Sequence, residues 1–245
     1  MRTSDPRRVN ARRVTVSHTA CLPEEVAMET LIAKTTLDLK GKTISTFVVF
    51  EVAKQLDAMR EGETIEVLTD DYEPLRRDVS VWCQTMGHEL VASEKVTTGW
   101  RFLIEKRIPT AKDTKLAMVI SPDGLEELLS PLGFALAAAL EGIDVSLYVQ
   151  GPAVRVLGRG YRPKLKGWAR PFSRFAAAQM AASGHIPAQD KFRQLHDLGA
   201  HIYMCGPSME HFNVKSDDLI LDEIAVVEYL TFMAVMEQAD IQLFV

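Results

Sequence analysis

Twice along this chain apolar residues switch between strand-like alternation and helical spacing in a regular order, and a stretch with neither period separates the two runs. Such a pattern cannot make a helical bundle or an all-β sandwich; it calls for layered α/β architecture in two units. In the first run, TTLDL alternates as a strand and TFVVFEVAKQLDAM carries apolar residues at helical spacing. The Glu61-Gly62-Glu63 turn leads into the strand TIEVLT. Asp70-Asp71 stands where a helix N-cap belongs, and RRDVSVWCQTMG then places Val79, Trp82, Cys83 and Met86 on one helical face, with Gly87 as the stop. HELVASEKV and TGWRFLIEK follow as two strands joined at Thr98-Gly99. The expectation is β-α-β-α-β-β, a small α+β sandwich over 35–107 with two helices on one face of a four-stranded sheet.

IPTAKDT, at 108–114, reads as a linker, and a second domain is expected over 115–245. LAMVIS is a buried strand, Ser121-Pro122-Asp123-Gly124 a capping turn, GFALAAALEGI a buried helix and DVSLYVQG the next strand. This order implies a right-handed parallel crossover. Residues 151–187, rich in Gly, Pro and cations, read as a long surface loop with one helix near Phe172–Ala182. DKFRQLHDLGA is an amphipathic helix, HIYMC a strand ending at Cys205, DEIAVVEYLTFMAVMEQA a helix apolar nearly all round, and IQLFV a last strand. The predicted fold class is α/β: an open, mostly parallel sheet with helices on both faces.

Charge narrows the function classes. With 28 Lys+Arg against 33 Asp+Glu the net charge is −5, which offers no general excess for nucleic acid. The most apolar stretch, from Pro131, is interrupted by Glu141 and Asp144, so no membrane span is expected. Residues 1–34, with Arg2, Arg7, Arg8, Arg12 and Arg13 but no apolar h-region, read as a flexible arm rather than a secretory signal, and the expected location is the cytoplasm. Three cysteines suit a reducing compartment.

Those cysteines differ in setting. Cys21 lies in the arm. Cys83 sits on the apolar face of a helix and reads as core. Cys205 ends a predicted buried strand, at the rim where open α/β sheets bind ligands, and Gly206-Pro207-Ser208-Met209 after it can turn backbone N–H groups toward the sulfur. Cys205 is therefore either a reactive thiolate or a small buried hydrophobe. The cysteine spacings match no metal pattern, no P-loop or dinucleotide fingerprint occurs, and no cofactor is called for. His88 is expected to cap a helix C-terminus, and His211, six residues beyond Cys205, either faces it or is a solvated or capping histidine.

From Leu37 to Lys106 the chain resembles a TusA/SirA-like domain, carried by LDLKG, EGETIEVLTDD and RRDVSVWCQTMGHEL. That family's sulfur-carrying Cys-Pro-x-Pro motif is absent: Ile44 stands in the cysteine place and neither proline is present. From Lys115 to Val245 the chain resembles the longer members of the DsrE/DsrF-like family, through KLAMVIS, ALAAALEGIDVSLYV, LGAHIYMCGPSM and ADIQLFV. The resemblance implies that Cys205 is the sulfur-accepting thiol, with Gly206, Pro207, Ser208 and Met209 as the substrate-binding turn. It further implies homo-oligomers and sulfur-carrier or rhodanese-like partners. The expected function is sulfur trafficking through a Cys205 persulfide, a sulfurtransferase-like activity. The alternative is a non-catalytic binding or regulatory module of a sulfur relay. A third possibility, a small-molecule or lipid-like ligand beneath 151–187, rests on the length of that loop.

Overall fold

β-branched and aromatic residues in the first run build a sheet because its alternate positions meet helices on one side and water on the other. The computed structural model describes residues 33–42, 44–108, 113–162, 164–182 and 184–245; the arm with Cys21 and the middle of the 108–114 linker lie outside the described residues. Its first part runs β1 (Thr35–Asp38), α1 (Ser45–Asp57), β2 (Thr64–Thr69), α2 (Glu73–Met86), β3 (Glu89–Val96) and β4 (Gly99–Glu105), the order expected. The sheet order is β1-β2-β4-β3, with β1 and β2 parallel and the other pairs antiparallel. Ile65, Val67, Phe102 and Ile104 are buried with Val48, Val52, Val79, Trp82 and Cys83 of the two helices. The opposite face carries Arg101 between Glu66 and Glu94.

Two local expectations change. Asp70 and Asp71 do not cap α2, whose N-cap is Tyr72 with no side-chain bond. Asp70 instead accepts the Gly41 N–H at 2.6 Å, tying the end of β2 to the turn after β1, and Asp71 pairs with Lys95. His88 does not cap α2 either: its Nδ1 accepts the Arg107 N–H and its ring lies 5.2 Å from that of Trp82.

The second part runs β5 (Lys115–Ile120), α3 (Leu129–Leu140), β6 (Asp144–Val149), 3-10 turns at Gly151–Leu157 and Gly167–Phe172, α4 (Ser173–Ala182) and α5 (Ala188–Asp197). It continues with β7 (His201–Cys205), α6 (Gly206–His211), β8 (Ala225–Val227), α7 (Tyr229–Glu237) and β9 (Ile241–Phe244). The strand order is β8-β7-β6-β5-β9, and every pairing is parallel. α3 begins at Leu129, before Gly133, and the Ser121–Gly124 turn does not cap it. The long apolar helix expected over 222–239 is also corrected. Its first part is the edge strand β8, and only Tyr229–Glu237 is helical. Two adjacent valines favour a strand when a neighbouring edge is open to pair with them, and Val226 and Val227 pair with Met204 and Cys205.

Alternation along the strands sorts the second sheet into two faces. Met118, Leu147, Ile202 and Met204 join the core beneath α3 and α5, and that core is continuous with the core of the first part. Ala117, Val119, Tyr148 and Cys205 point the other way, where Phe232 of α7 covers them. Trp82 of α2 donates its indole N–H to the Leu140 carbonyl, so the helices of the first part rest on α3. Ile44 backs onto the segment after α4: a Cβ at Gly184, whose φ is +90°, would lie 3.6 Å from Ile44 Cγ1.

Candidate functional site

Parallel strands bring the carboxyl ends of β5, β6 and β7 to one rim. Backbone groups there have no further strand to pair with, so turns and side chains satisfy them. After β5, the Ser121 carbonyl accepts the Ala153 N–H, and Ser121 Oγ accepts a hydrogen from Gln150 Nε2 at 3.1 Å. After β6, the Gly151 N–H donates to Ser208 Oγ at 2.9 Å, which fixes the start of α6 against the rim. Beside it Asp123 accepts from both Arg155 and the Tyr161 hydroxyl, and the Arg155 guanidinium stacks 5.0 Å from the Phe212 ring.

Cys205 lies at this rim as the last residue of β7 and the N-cap of α6. Its accessible surface is 0%. The cover is thin, however, because Tyr229, whose ring lies 6.0 Å from that of Tyr148 beside Cys205, is itself 57% exposed. Burial raises the thiol pKa, but nearby polar groups outweigh it, the Ser208 hydroxyl and backbone N–H and the Tyr148 and Tyr229 hydroxyls, although none closes a hydrogen bond to the sulfur among the described residues. The net effect holds the Cys205 thiol below its ordinary value. Ser208 can serve both neighbours, since its oxygen accepts from Gly151 while its proton is free to donate. Tyr148 Oη closes no hydrogen bond of standard geometry among the described residues, so it is an uncommitted buried donor that an ionised sulfur can take up. Its own pKa is raised by burial and by the sulfur, and that of Tyr229 by the sulfur's charge, so both phenols stay protonated as donors.

The sequence offers Cys205 and Ser208 as candidates, and the fold brings Tyr148 and Tyr229, which no sequence pattern marks, into the same neighbourhood. The nearest to a signal is Tyr148 itself, a polar-tipped residue within the otherwise apolar end of DVSLYV. Of the other turn residues, Pro207 is exposed at the rim, while Met209 is buried in the core on the opposite side of the sheet. Cys83 contrasts with Cys205: it is buried among apolar side chains, and burial pushes its thiol up to about 12. His211 rests edge-on against Phe212. Among the described residues no three His, Cys, Asp or Glu side chains gather as a metal site, and no helix is long and apolar enough to cross a membrane.

The model of the sulfurtransferase TusA family matches residues 36–106, and that of the DsrE/DsrF-like family matches 114–244. Two candidate sulfur carrier proteins of Archaeoglobus fulgidus are similar to stretches of this chain. One is 36% identical over 76 residues, 31% of this chain and 84% of the relative. The other is 36% identical over 58 residues, 24% of this chain and 78% of the relative. The crystal structure of the ychN protein from E. coli is similar over 54% of this chain and 99% of its own, with a TM-score of 0.41 and 18% identity.

Proposed function

Because this chain belongs to the DsrE/DsrF-like family and carries a TusA domain ahead of that fold, we propose that it traffics sulfur through a persulfide on Cys205. The observation that carries the reading is the place of Cys205 at the carboxyl end of β7, where ligands reach open α/β sheets, with polar groups nearby that hold its thiol below its ordinary value. The step is a displacement. Cys205 thiolate attacks the outer sulfur of a donor persulfide R–S–SH, a new S–S bond forms at Cys205, the donor's S–S bond breaks, and R–S⁻ leaves with the electron pair. A second thiolate removes the sulfur by the same exchange, and no external oxidant or reductant is needed. Tyr229 has to move for a donor to reach the sulfur, and Ser208 and the Gly206-Pro207 turn then hold the incoming sulfur. Met209 anchors that turn in the core.

The donor is another molecule. Ile44 has no thiol, and the helices of its domain lie against α3, across the sheet from Cys205. A TusA-like carrier or a rhodanese-like protein fits that role in the cytoplasm. Leu230, Met233 and Phe244 stand exposed on α7 and β9, and this apolar surface suits a homo-oligomer contact. Incubation with glutathione persulfide tests the reading. Cys205 should gain the mass of one sulfur atom, and a wild-type chain that gains none counts against it.

The zero accessibility of Cys205 favours a second reading, a binding module of a sulfur relay that performs no transfer. On that reading a carrier binds the chain but leaves Cys205 unmodified.

A further inference from the structure

A cavity of about 780 Å³ lies beneath the 151–187 segment, away from Cys205 and within the range of volumes that hold small ligands, roughly 300–1,000 Å³. Its walls are apolar, with Leu128, Leu129, Met180 and Ile186 from α3, α4 and the approach to α5. Its polar lining is Ser173, His185 and five cations, Arg162, Lys164, Arg170, Arg174 and Lys191, with no Asp or Glu. None of the five forms an ion pair with a carboxylate of the described residues within 4.0 Å.

Lys191 is the telling member. It is only 4% exposed, and the hydrogen bond it makes among the described residues, to the Leu129 carbonyl at 3.2 Å, uses one of three donors. An ammonium withdrawn from water without a counter-charge is costly to the fold, and an anion bound beside it offsets that cost. A small anion alone would leave the leucine and methionine walls unfilled. A neutral hydrocarbon would leave Lys191 uncompensated, and a cation would be repelled by all five groups.

We propose that this cavity binds a soluble single-chain amphiphile with an anionic head, the carboxylate at Lys191 and the hydrocarbon chain along Leu128, Leu129, Met180 and Ile186. The site is independent of Cys205 and of persulfide chemistry.

Equilibrium dialysis of the full chain against labelled dodecanoate below its micelle concentration tests the proposal. Dodecanoate is expected to bind saturably at one per chain, with dodecyltrimethylammonium not retained and acetate unable to displace it. Lys191→Met should weaken binding about tenfold or more, the scale of one charge-assisted hydrogen bond. Ala177→Trp, at an exposed position lining the cavity, should abolish binding while the circular dichroism spectrum and thermal melt stay those of wild type. Absence of saturable binding overturns the proposal, as does equal retention of the cationic amphiphile, displacement by acetate, or wild-type affinity in Ala177→Trp. Flotation with anionic vesicles separates the two sources of such a head group. Association with vesicles but not with free dodecanoate would point to a lipid surface and also overturn it.

Discussion

The Trp82 indole N–H donates to the Leu140 carbonyl across 2.9 Å, from α2 of the first sheet's layer to the last turn of α3 on the second. The carbonyl at a helix end lacks an intrahelical partner, and burial denies it water, so the indole is what satisfies it. Trp82→Phe keeps most of the apolar contact and removes the donor. It should lower stability to urea by about 1–3 kcal/mol, the cost of an unsatisfied buried acceptor. Unfolding followed by circular dichroism checks this, and an unchanged midpoint would mean the bond contributes nothing to holding the halves together.

Cys205 should alkylate along a pH profile whose midpoint lies below that of an ordinary thiol, because its donors stabilise the thiolate more than burial disfavours it. Removing a donor raises the pKa, so Ser208→Ala and Tyr229→Phe should each shift the midpoint upward. Cys83, pushed up to about 12, should stay unlabelled at neutral pH. With the folded pKa below the unfolded one, ionisation of Cys205 adds stability that is complete above the unfolded value and lost as pH falls through the folded value. Cys205→Ser should flatten that part of the pH–stability curve.

Gly99, at the turn between β3 and β4, has φ +141°, and a Cβ there would lie 1.8 Å from the Thr69 carbonyl oxygen. Backbone cannot yield as a flexible side chain can. Gly99→Ala should cost more than about 1 kcal/mol in denaturant unfolding, whereas Gly41→Ala, with open space around its Cβ, should cost less.

Much of this architecture was legible in the residues, and the failures are instructive. Both sheets, the 173–182 helix and the strand that ends at Cys205 follow from period and turn chemistry. β8 was hidden because three apolar residues in an unbroken apolar run carry no period of their own; the open edge of β7 decides their conformation. The Asp70-Asp71 pair imitated a helix cap, but a closer partner, the Gly41 N–H, won Asp70. The polar groups near Cys205 come from β6, α6 and α7, more than fifty residues apart for Tyr148 and Cys205, and no local pattern marks groups that meet only through strand order.

Leu230 is 87% exposed and Phe244 71%, an unusual price in hydration for side chains of that size. Leu230→Glu and Phe244→Asp should each shift the assembly toward monomer in light scattering coupled to size exclusion, leaving the far-ultraviolet spectrum unchanged. A wild-type chain that is already monomeric at high concentration would contradict the oligomer proposed for this face.

Persulfide loading, read by intact mass and peptide mapping, bears most directly on the role of Cys205. Wild type, Cys83→Ser and Cys205→Ser are incubated in parallel with glutathione persulfide, and each is then exposed to a reductant. Wild type and Cys83→Ser should gain one sulfur atom, mapped to Cys205 and released by the reductant, while Cys205→Ser should gain none. A wild-type chain without the adduct, or an adduct that persists in Cys205→Ser, would contradict it.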